Sequence, residues 1–82
     1  MIAYLKGKLI HKTPSQAIIE VNGVGYQVHI SLHTFSEIKD REDIQLATHF
    51  HVREDAQVLF GFNSSAEKLL FQYLIYPHQT KN

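Results

Sequence analysis

The chain has 82 residues, 44% of them hydrophobic, and contains no cysteine. That length allows one domain with a thin core, and the cysteine count excludes a disulfide framework or a thiolate metal site that could supplement the core. Eight basic side chains balance eight acidic ones, which argues against a nucleic-acid coat protein whose affinity depends on a strong positive field. No apolar run has the length of a signal-peptide core or a membrane span, so we expect a cytoplasmic protein.

The opening segment, MIAYLKGKLI, predicts a β-strand. Leu5 and Leu9 fall on one face of an extended chain, and Lys6 and Lys8 fall on the other. Gly7 interrupts the strand, and a glycine at such a position usually marks a bulge or a barrel corner. We therefore expect the first strand to be bent at Gly7.

Two turns follow, and each leads into a predicted strand. Thr13–Ser15 contains a proline that fixes φ and cannot donate to a sheet, and a strand over Gln16–Val21 comes after it. Asn22–Gly25 then turns the chain where positive φ is accessible. Its G-x-G spacing is that of a phosphate loop, but such loops open a helix, whereas a strand follows here, so we interpret it as a turn. The third strand has a two-residue period, with apolar positions at Val24, Tyr26, Val28, Ile30 and Leu32.

A short helix is predicted after the third strand. Thr34 and Glu37 have the spacing of a capping box, in which the two side chains satisfy backbone N–H groups at a helix start. The charged loop Lys39–Asp43 follows soon afterwards, which leaves room for about one helical turn. We therefore expect a single turn of helix between two strands.

The next two strands predict a β-hairpin with a charged tip. The tip is Arg53, Glu54 and Asp55, and we call Glu54 and Asp55 the acidic tip. Apolar and polar residues alternate on both sides of it, which is the period of strands with one buried face. The predicted inward positions are Ile44, Leu46, Thr48, Phe50 and Val52 before the tip, and Ala56, Val58, Phe60 and Phe62 after it.

These elements predict an all-β fold, a small five- to six-stranded barrel of the oligonucleotide/oligosaccharide-binding (OB) type over residues 1–62. Five short strands with a helix between the third and fourth have the element order of that barrel. Closing the sheet into a barrel removes most of its unpaired edges. A barrel of the SH3 type is the alternative.

A second helix is predicted over residues 63–76. Ser64 and Glu67 form another capping box, and Pro77 ends the helix. Apolar residues lie almost all the way around it, so it needs a second surface beyond one barrel face. We expect residues 77–82 to be a disordered tail.

Six histidines raise the question of a metal site. His49 and His51 project from one strand face, but two ligands do not hold zinc, which takes three or four. Only the fold could bring His11, His29 or His33 near them. We therefore predict exposed strand positions for the histidines and no metal site.

No motif indicates catalysis. The chain lacks a nucleophile elbow, a zinc-protease motif and a P-loop. Its acidic residues cluster in loops, without an apolar pocket that could shift a carboxyl pKa for acid–base chemistry. We predict a protein that is not an enzyme and uses no cofactor.

The acidic tip has two interpretations from spacing alone. Charge runs at hairpin tips are mostly solvated turns. Alternatively, the tip faces DNA and acts by repulsion, because a carboxylate within a Debye length of about 10 Å pushes phosphates away.

Three long segments in order, MIAYLKGKLI, VNGVGYQVHIS and THFHVREDAQVLFGF, resemble the N-terminal domain of the RuvA family, the Holliday-junction recognition subunits of bacterial branch migration. The resemblance covers residues 1 to about 75 and implies an OB-type barrel. It implies a non-catalytic subunit of an ATP-dependent helicase complex in DNA recombination and repair. Its implied partners are four-way junction DNA, a homotetramer, a RuvB-like motor ATPase and a RuvC-like resolvase, with no membrane. The acidic pin of the family, which separates strands at the crossover, matches Glu54 and Asp55.

The sequence departs from the family after the second helix. Residues 76–82 stand where the resemblance implies a domain of helix-hairpin-helix motifs that grip the DNA backbone, and a third, motor-binding domain is also missing. We expect an excised domain, a degraded product or a natural truncation. Without those domains, any affinity for phosphate must come from the few basic residues of this chain. These are chiefly Arg53, Lys6 and Lys8, with Lys12 as a further candidate, so we expect weak DNA binding.

Two other functions remain open at this point. The chain could be an assembly module that forms tetramers without binding DNA, or a stand-alone binder of single strands. Single-strand binders present aromatic side chains on an open basic groove. The aromatic residues of the predicted strands fall on apolar faces instead, so we expect core positions for Tyr26, Phe50, Phe60 and Phe62.

Overall fold

The computed structural model of the chain describes residues 2–52 and 54–75. The predicted all-β barrel, with a helix between the third and fourth strands and another at its C-terminal side, is confirmed. The predicted positions of Tyr76, of Pro77 as the helix end and of the tail over 77–82 lie outside the described residues. The elements are β1 (Tyr4–Lys12), β2 (Gln16–Val21), β3 (Val24–His29), α1 (Leu32–Ile38), β4 (Asp43–Val52), β5 (Gln57–Phe62) and α2 (Ser65–Ile75).

The five strands close into a barrel in the order β1-β2-β3-β5-β4. β1, β2 and β3 form an antiparallel meander, and β4 and β5 form a hairpin. Closure comes from an antiparallel pairing of β1 with β4 and a short parallel contact of β3 with β5 at His29 and Phe60. Each strand therefore has two neighbours, which satisfies backbone groups that an open sheet would expose. Neither described helix has the length and apolar character needed to span a membrane.

The core fills the barrel interior and is almost entirely aliphatic. Every strand contributes to it, and α1 adds Ile38, which is fully buried. The predicted inward positions in the first half of β4 are confirmed, since Ile44 and Leu46 are buried, and Ala17 and Ile19 of β2 are buried with them. The core cluster consists of Leu5, Ala17, Ile19, Val28, Ile30, Ile38, Ile44, Leu46 and Leu59.

Glycines act in two different ways in the β1–β3 meander. Asn22 and Gly23 turn β2 into β3 with φ of 51° and 85°, the left-handed conformations that a tight hairpin turn requires. Of the two features that Gly7 predicted, a bulge does not occur there, because pairing with β4 runs regularly through Gly7 and the register with β2 shifts between Leu9 and His11 instead. A Cβ on Gly7 would collide with the Glu20 carbonyl oxygen. Gly7 is therefore required by a close approach of two backbones.

The first helix begins earlier than the capping box at Thr34 predicts. Ser31 is the N-cap, and its hydroxyl accepts a hydrogen bond from the Thr34 N–H at 3.0 Å. β3 ends at His29, and the helix begins at Leu32. Leu32 is 68% exposed, so it is not the inward strand residue that the alternation predicted. The two-residue period continued by chance past the end of the strand.

The predicted inward face of β5 is also wrong. Phe50 lies opposite Leu59, and Thr48 lies opposite Gly61, and residues directly opposite in an antiparallel pair share a face. Leu59 and Gly61 therefore face the barrel interior, whereas Val58, Phe60 and Phe62 face outward. A register error of one residue exchanges every side chain between the two faces.

We predict that Gly7→Ala lowers the free energy of unfolding by at least about 2 kcal/mol, because the new Cβ meets backbone that cannot move aside. Urea denaturation measures the change through the midpoint at constant slope. Gly25→Ala is the matched control, since its Cβ would meet only Ile18 Cγ2, at 3.4 Å. Equal effects of the two substitutions would contradict the close approach.

Candidate nucleic-acid interface

The acidic tip stands at the end of the β4–β5 hairpin. The two strands pair from Ala47 and Phe62 to Val52 and Gln57. Glu54 and Asp55 lie beyond the last pair, and both are exposed. Arg53, predicted to contact phosphate, lies outside the described residues. The fold thus presents two adjacent carboxylates at the far end of a paired arm, and their role stays a prediction.

The base of the arm is packed on both faces. On the inner face, Leu59 is buried and Phe50 is packed against the core. On the outer face, the ring of Phe71 from α2 packs against Phe60 and Phe62, with ring centroids 4.8 and 5.1 Å apart. Phe62 is 5% exposed, so its predicted buried position is confirmed, but it is buried against α2 and not inside the barrel. Phe60 is half-buried under the same ring, so its predicted core position is wrong. They do not form the open stacking surface that a single-strand binder needs.

His49 lies under α2 and is 7% exposed, so its predicted exposed position is wrong. Its ring contacts Phe71, with centroids 5.7 Å apart. The Gln72 amide nitrogen lies 3.0 Å from His49 Nδ1, and because an amide nitrogen can only donate, Nδ1 accepts. Burial, followed by the nearby His51 and Lys68, lowers the pKa of His49 below its ordinary value of 6.5.

Glu67 ties the start of α2 to the start of α1. Its backbone N–H donates to the Ser64 hydroxyl at 3.1 Å, so the predicted cap at Ser64 is confirmed. Its carboxylate, however, does not complete the capping box. It accepts hydrogen bonds from the hydroxyls of Ser31 and Thr34 at 2.6 and 2.7 Å. This link between the two helices was missed by the sequence analysis, because a local motif offered a sufficient role for Glu67.

The predicted phosphate contacts on β1 lie far from the acidic tip. Lys6 and Lys8 are exposed and pair with Gln45 and Asp43 at the beginning of β4. The seven residue-to-residue steps from Gln45 to Val52 span roughly 23 Å at 3.3 Å per step. Lys6 borders a shallow cavity of about 470 Å³ that Arg41 also lines.

Lys12, the further candidate contact, donates from Nζ to the Lys39 carbonyl. This interaction ties the end of β1 to the end of α1. It makes Lys12 a weaker candidate for phosphate than Lys6 and Lys8, because its ammonium group already serves a backbone acceptor.

The described histidines do not form a metal site. Within residues 2–52 and 54–75, no three His, Asp or Glu side chains come together as a metal site would require. His29 packs on Phe60 at a centroid distance of 5.7 Å. His33 lies in α1, not in a strand, with its Nε2 3.9 Å from Glu37 Oε1. Only His49 among these is enclosed by packing.

A closed five-stranded barrel with this strand order, and with a helix between the third and fourth strands, is an OB-type module. Residues 1–61 match the model of the RuvA N terminal domain, so the chain belongs to this family.

Similar curated proteins are Holliday junction branch migration complex subunits RuvA. The chain is 49% identical to the one from Cytophaga hutchinsonii over 90% of its own length, and 52% identical to the one from Syntrophotalea carbinolica over 92%. It is 49% identical to the one from Pectobacterium carotovorum over 92%. The chain spans 37–38% of the length of these three relatives.

We predict that the free energy of unfolding falls as pH decreases below 6.5, because unfolded His49 binds a proton before folded His49 does. The contribution of His49 to the free energy of unfolding is fully present above pH 6.5. It is lost as the pH falls toward the lowered pKa of folded His49, by at most about 1.4 kcal/mol per pH unit. Urea midpoints measured across this range test the slope. His49→Gln, which keeps a neutral acceptor, flattens it, whereas exposed His11→Gln leaves it unchanged; an unaltered slope in His49→Gln contradicts this assignment.

Proposed function

We propose that this chain is the junction-binding N-terminal domain of a RuvA-like branch migration subunit, and that its acidic tip separates strands at the crossover of a four-way junction. The observation that carries the proposal is the exposed pair Glu54–Asp55 at the end of a paired hairpin, on a chain that belongs to the RuvA N terminal domain family. The similar proteins are named Holliday junction branch migration complex subunits, and this supports the same function.

The acidic tip acts by repulsion. Two adjacent carboxylates carry a concentrated negative charge, and phosphates within about 10 Å of them are repelled at 0.1 M salt. A continuous duplex laid across the tip must bring its phosphates into this range. An open junction offers a gap between its arms, where the tip can enter with less repulsion. The tip therefore favours the junction by penalising the alternative.

Lys6 and Lys8 supply attraction at a distance from the tip. Their separation of roughly 23 Å along β4 exceeds two Debye lengths at 0.1 M salt. At that separation the lysines cannot neutralise the field of the tip. A junction arm could contact the lysines while its crossover meets the carboxylates.

The partners follow from the same proposal. The domain serves in a homotetramer that works with a RuvB-like motor ATPase and, at a later step, a RuvC-like resolvase. It has no catalytic role of its own, and its barrel spans residues 1–62, with residues 63–76 leading toward a helix-hairpin-helix domain. The helix-hairpin-helix motifs of that next domain supply most of the DNA affinity, so the isolated chain binds weakly.

Neutralising the acidic tip should reduce selectivity for the junction. We expect Glu54→Gln with Asp55→Asn to raise duplex affinity more than junction affinity, lowering their ratio roughly fivefold at low salt, as Coulomb repulsion at about 8 Å in water implies. Gel shifts on a four-way junction and on duplex arms of the same sequence measure the ratio.

The matched control for the tip is Asp40→Asn with Glu42→Gln. These residues make the same charge change in the exposed loop before β4, at the opposite end of that strand. A general charge effect would lower the ratio equally in both double variants and would contradict a specific role for the tip.

Lys6→Gln with Lys8→Gln tests the phosphate contacts. We expect weaker binding to junction and duplex alike, and a salt dependence whose slope falls by about 2, since each phosphate contact contributes about 0.9. Lys39→Gln, on an exposed residue at the end of α1, should leave the slope unchanged. An unchanged slope in the double variant would remove Lys6 and Lys8 from the interface.

A further inference from the structure

α2 contacts both strands of the hairpin at a single cross-strand pair. His49 and Phe60 lie directly opposite each other on β4 and β5. The Phe71 ring packs on both, with centroid distances of 5.7 and 4.8 Å. Gln72, the next residue of α2, donates to His49 at 3.0 Å. Two consecutive residues of the helix therefore contact a cross-strand pair.

The arm leaves the body of the fold shortly after this pair. The next pair, Phe50 and Leu59, packs against the core on the inner face. Pairing ends at Val52 and Gln57, and Val52 is 60% exposed. From His49 to Val52 the strand rises about 10 Å. The contacts of α2 thus lie one short arm length from the point where the tip begins.

We propose, building on the function proposed above, that Phe71 and Gln72 are positioning residues for the acidic tip and act through His49 and Phe60. A hairpin supported on its inner face alone can pivot about that contact. Support on both faces fixes its direction. Because screened repulsion falls steeply over about 10 Å, a pivot of a few ångströms changes which phosphates the tip repels.

The contacts between α2 and the hairpin are few enough for one substitution or one protonation to weaken them. None of residues 65–75 is fully buried, so the helix is a low-stability element that opens more readily than the barrel. Its first turn is held by Glu67 through the hydroxyls of Ser31 and Thr34. The middle of the helix meets the hairpin through Phe71 and Gln72.

Protonation of His49 should loosen the support. A protonated Nδ1 cannot accept from Gln72, and the new charge lies near His51 on β4 and Lys68 on α2. Glu67, the acidic group in the first turn of α2, already accepts two hydrogen bonds. His29 of β3 faces the other side of the pair through Phe60. Lys68 and His51 thus oppose a positive charge on His49.

The first test measures order at the tip without DNA. Backbone ¹⁵N relaxation gives order parameters for residues 54–56 in the unaltered chain, in Phe71→Ala and in Leu70→Ala. Leu70 is adjacent but 60% exposed, so its truncation is the matched control. We expect Phe71→Ala to lower the tip order parameters by at least about 0.2, while Leu70→Ala leaves them unchanged. Equal tip order in the two variants would overturn the proposal.

A second series keeps the test decisive if Phe71→Ala unfolds the chain. Gln72→Ala removes only the hydrogen bond, and acidification from about pH 7.5 to about pH 4.5 removes it without mutation. We expect tip order to fall in Gln72→Ala and, on acidification, in the unaltered chain and His51→Gln, but to stay constant in His49→Gln. A response to acid that persists in His49→Gln would refute a role for this histidine.

Gel shifts on junction and duplex then connect tip order to selectivity. We expect Phe71→Ala to lower the junction-to-duplex ratio toward the value of the doubly neutralised tip. If neutralising the tip lowers the ratio but loosening it does not, the positioning role is wrong. If the tip loosens and neither change alters the ratio, positioning stands and the proposed function of the tip fails.

Discussion

β4 pairs with two different strands along its length, and both the closure of the barrel and the arm that carries the acidic tip depend on it. Its first half, from Asp43 to Ala47, pairs with β1 and closes the barrel. Its second half, from Ala47 to Val52, pairs with β5 and forms the arm. One continuous strand therefore links the closure of the fold to the position of the acidic tip. Its length also keeps Lys6 and Lys8 beyond the screening distance of the carboxylates.

α2 gives the arm its outer support and connects it to the start of α1. Phe71 packs on β4 and β5, while Glu67 bonds to the start of α1 through Ser31 and Thr34. The same helix leaves Leu69, Leu70, Tyr73 and Leu74 largely exposed. A helix with apolar residues around most of its circumference can thus brace the hairpin on one side and still present a surface on the other.

The element order along the chain, the hairpins and the position of the acidic tip were predictable because they depend on local alternation and turn chemistry. The outward direction of Phe60 and Phe62 was not, because apolar residues on both faces of β5 remove the contrast that fixes register. Gly61 alternates with Phe60 and Phe62 along β5. Its lack of a side chain was the sequence feature that could have indicated which face of β5 points into the barrel interior. Buried His49 and the bridging carboxylate of Glu67 depend on contacts with residues distant in sequence, which no local pattern encodes.

We propose that this barrel distinguishes a junction from a duplex by means of charge at the end of one arm. Binding of the unaltered 82-residue chain to a four-way junction and to duplex arms of the same sequence, across a salt series, tests this claim most directly. The account predicts weak binding that prefers the junction, with a preference that diminishes as salt screens the tip. Equal affinity for both DNAs at every salt concentration, or no binding to either, would contradict it.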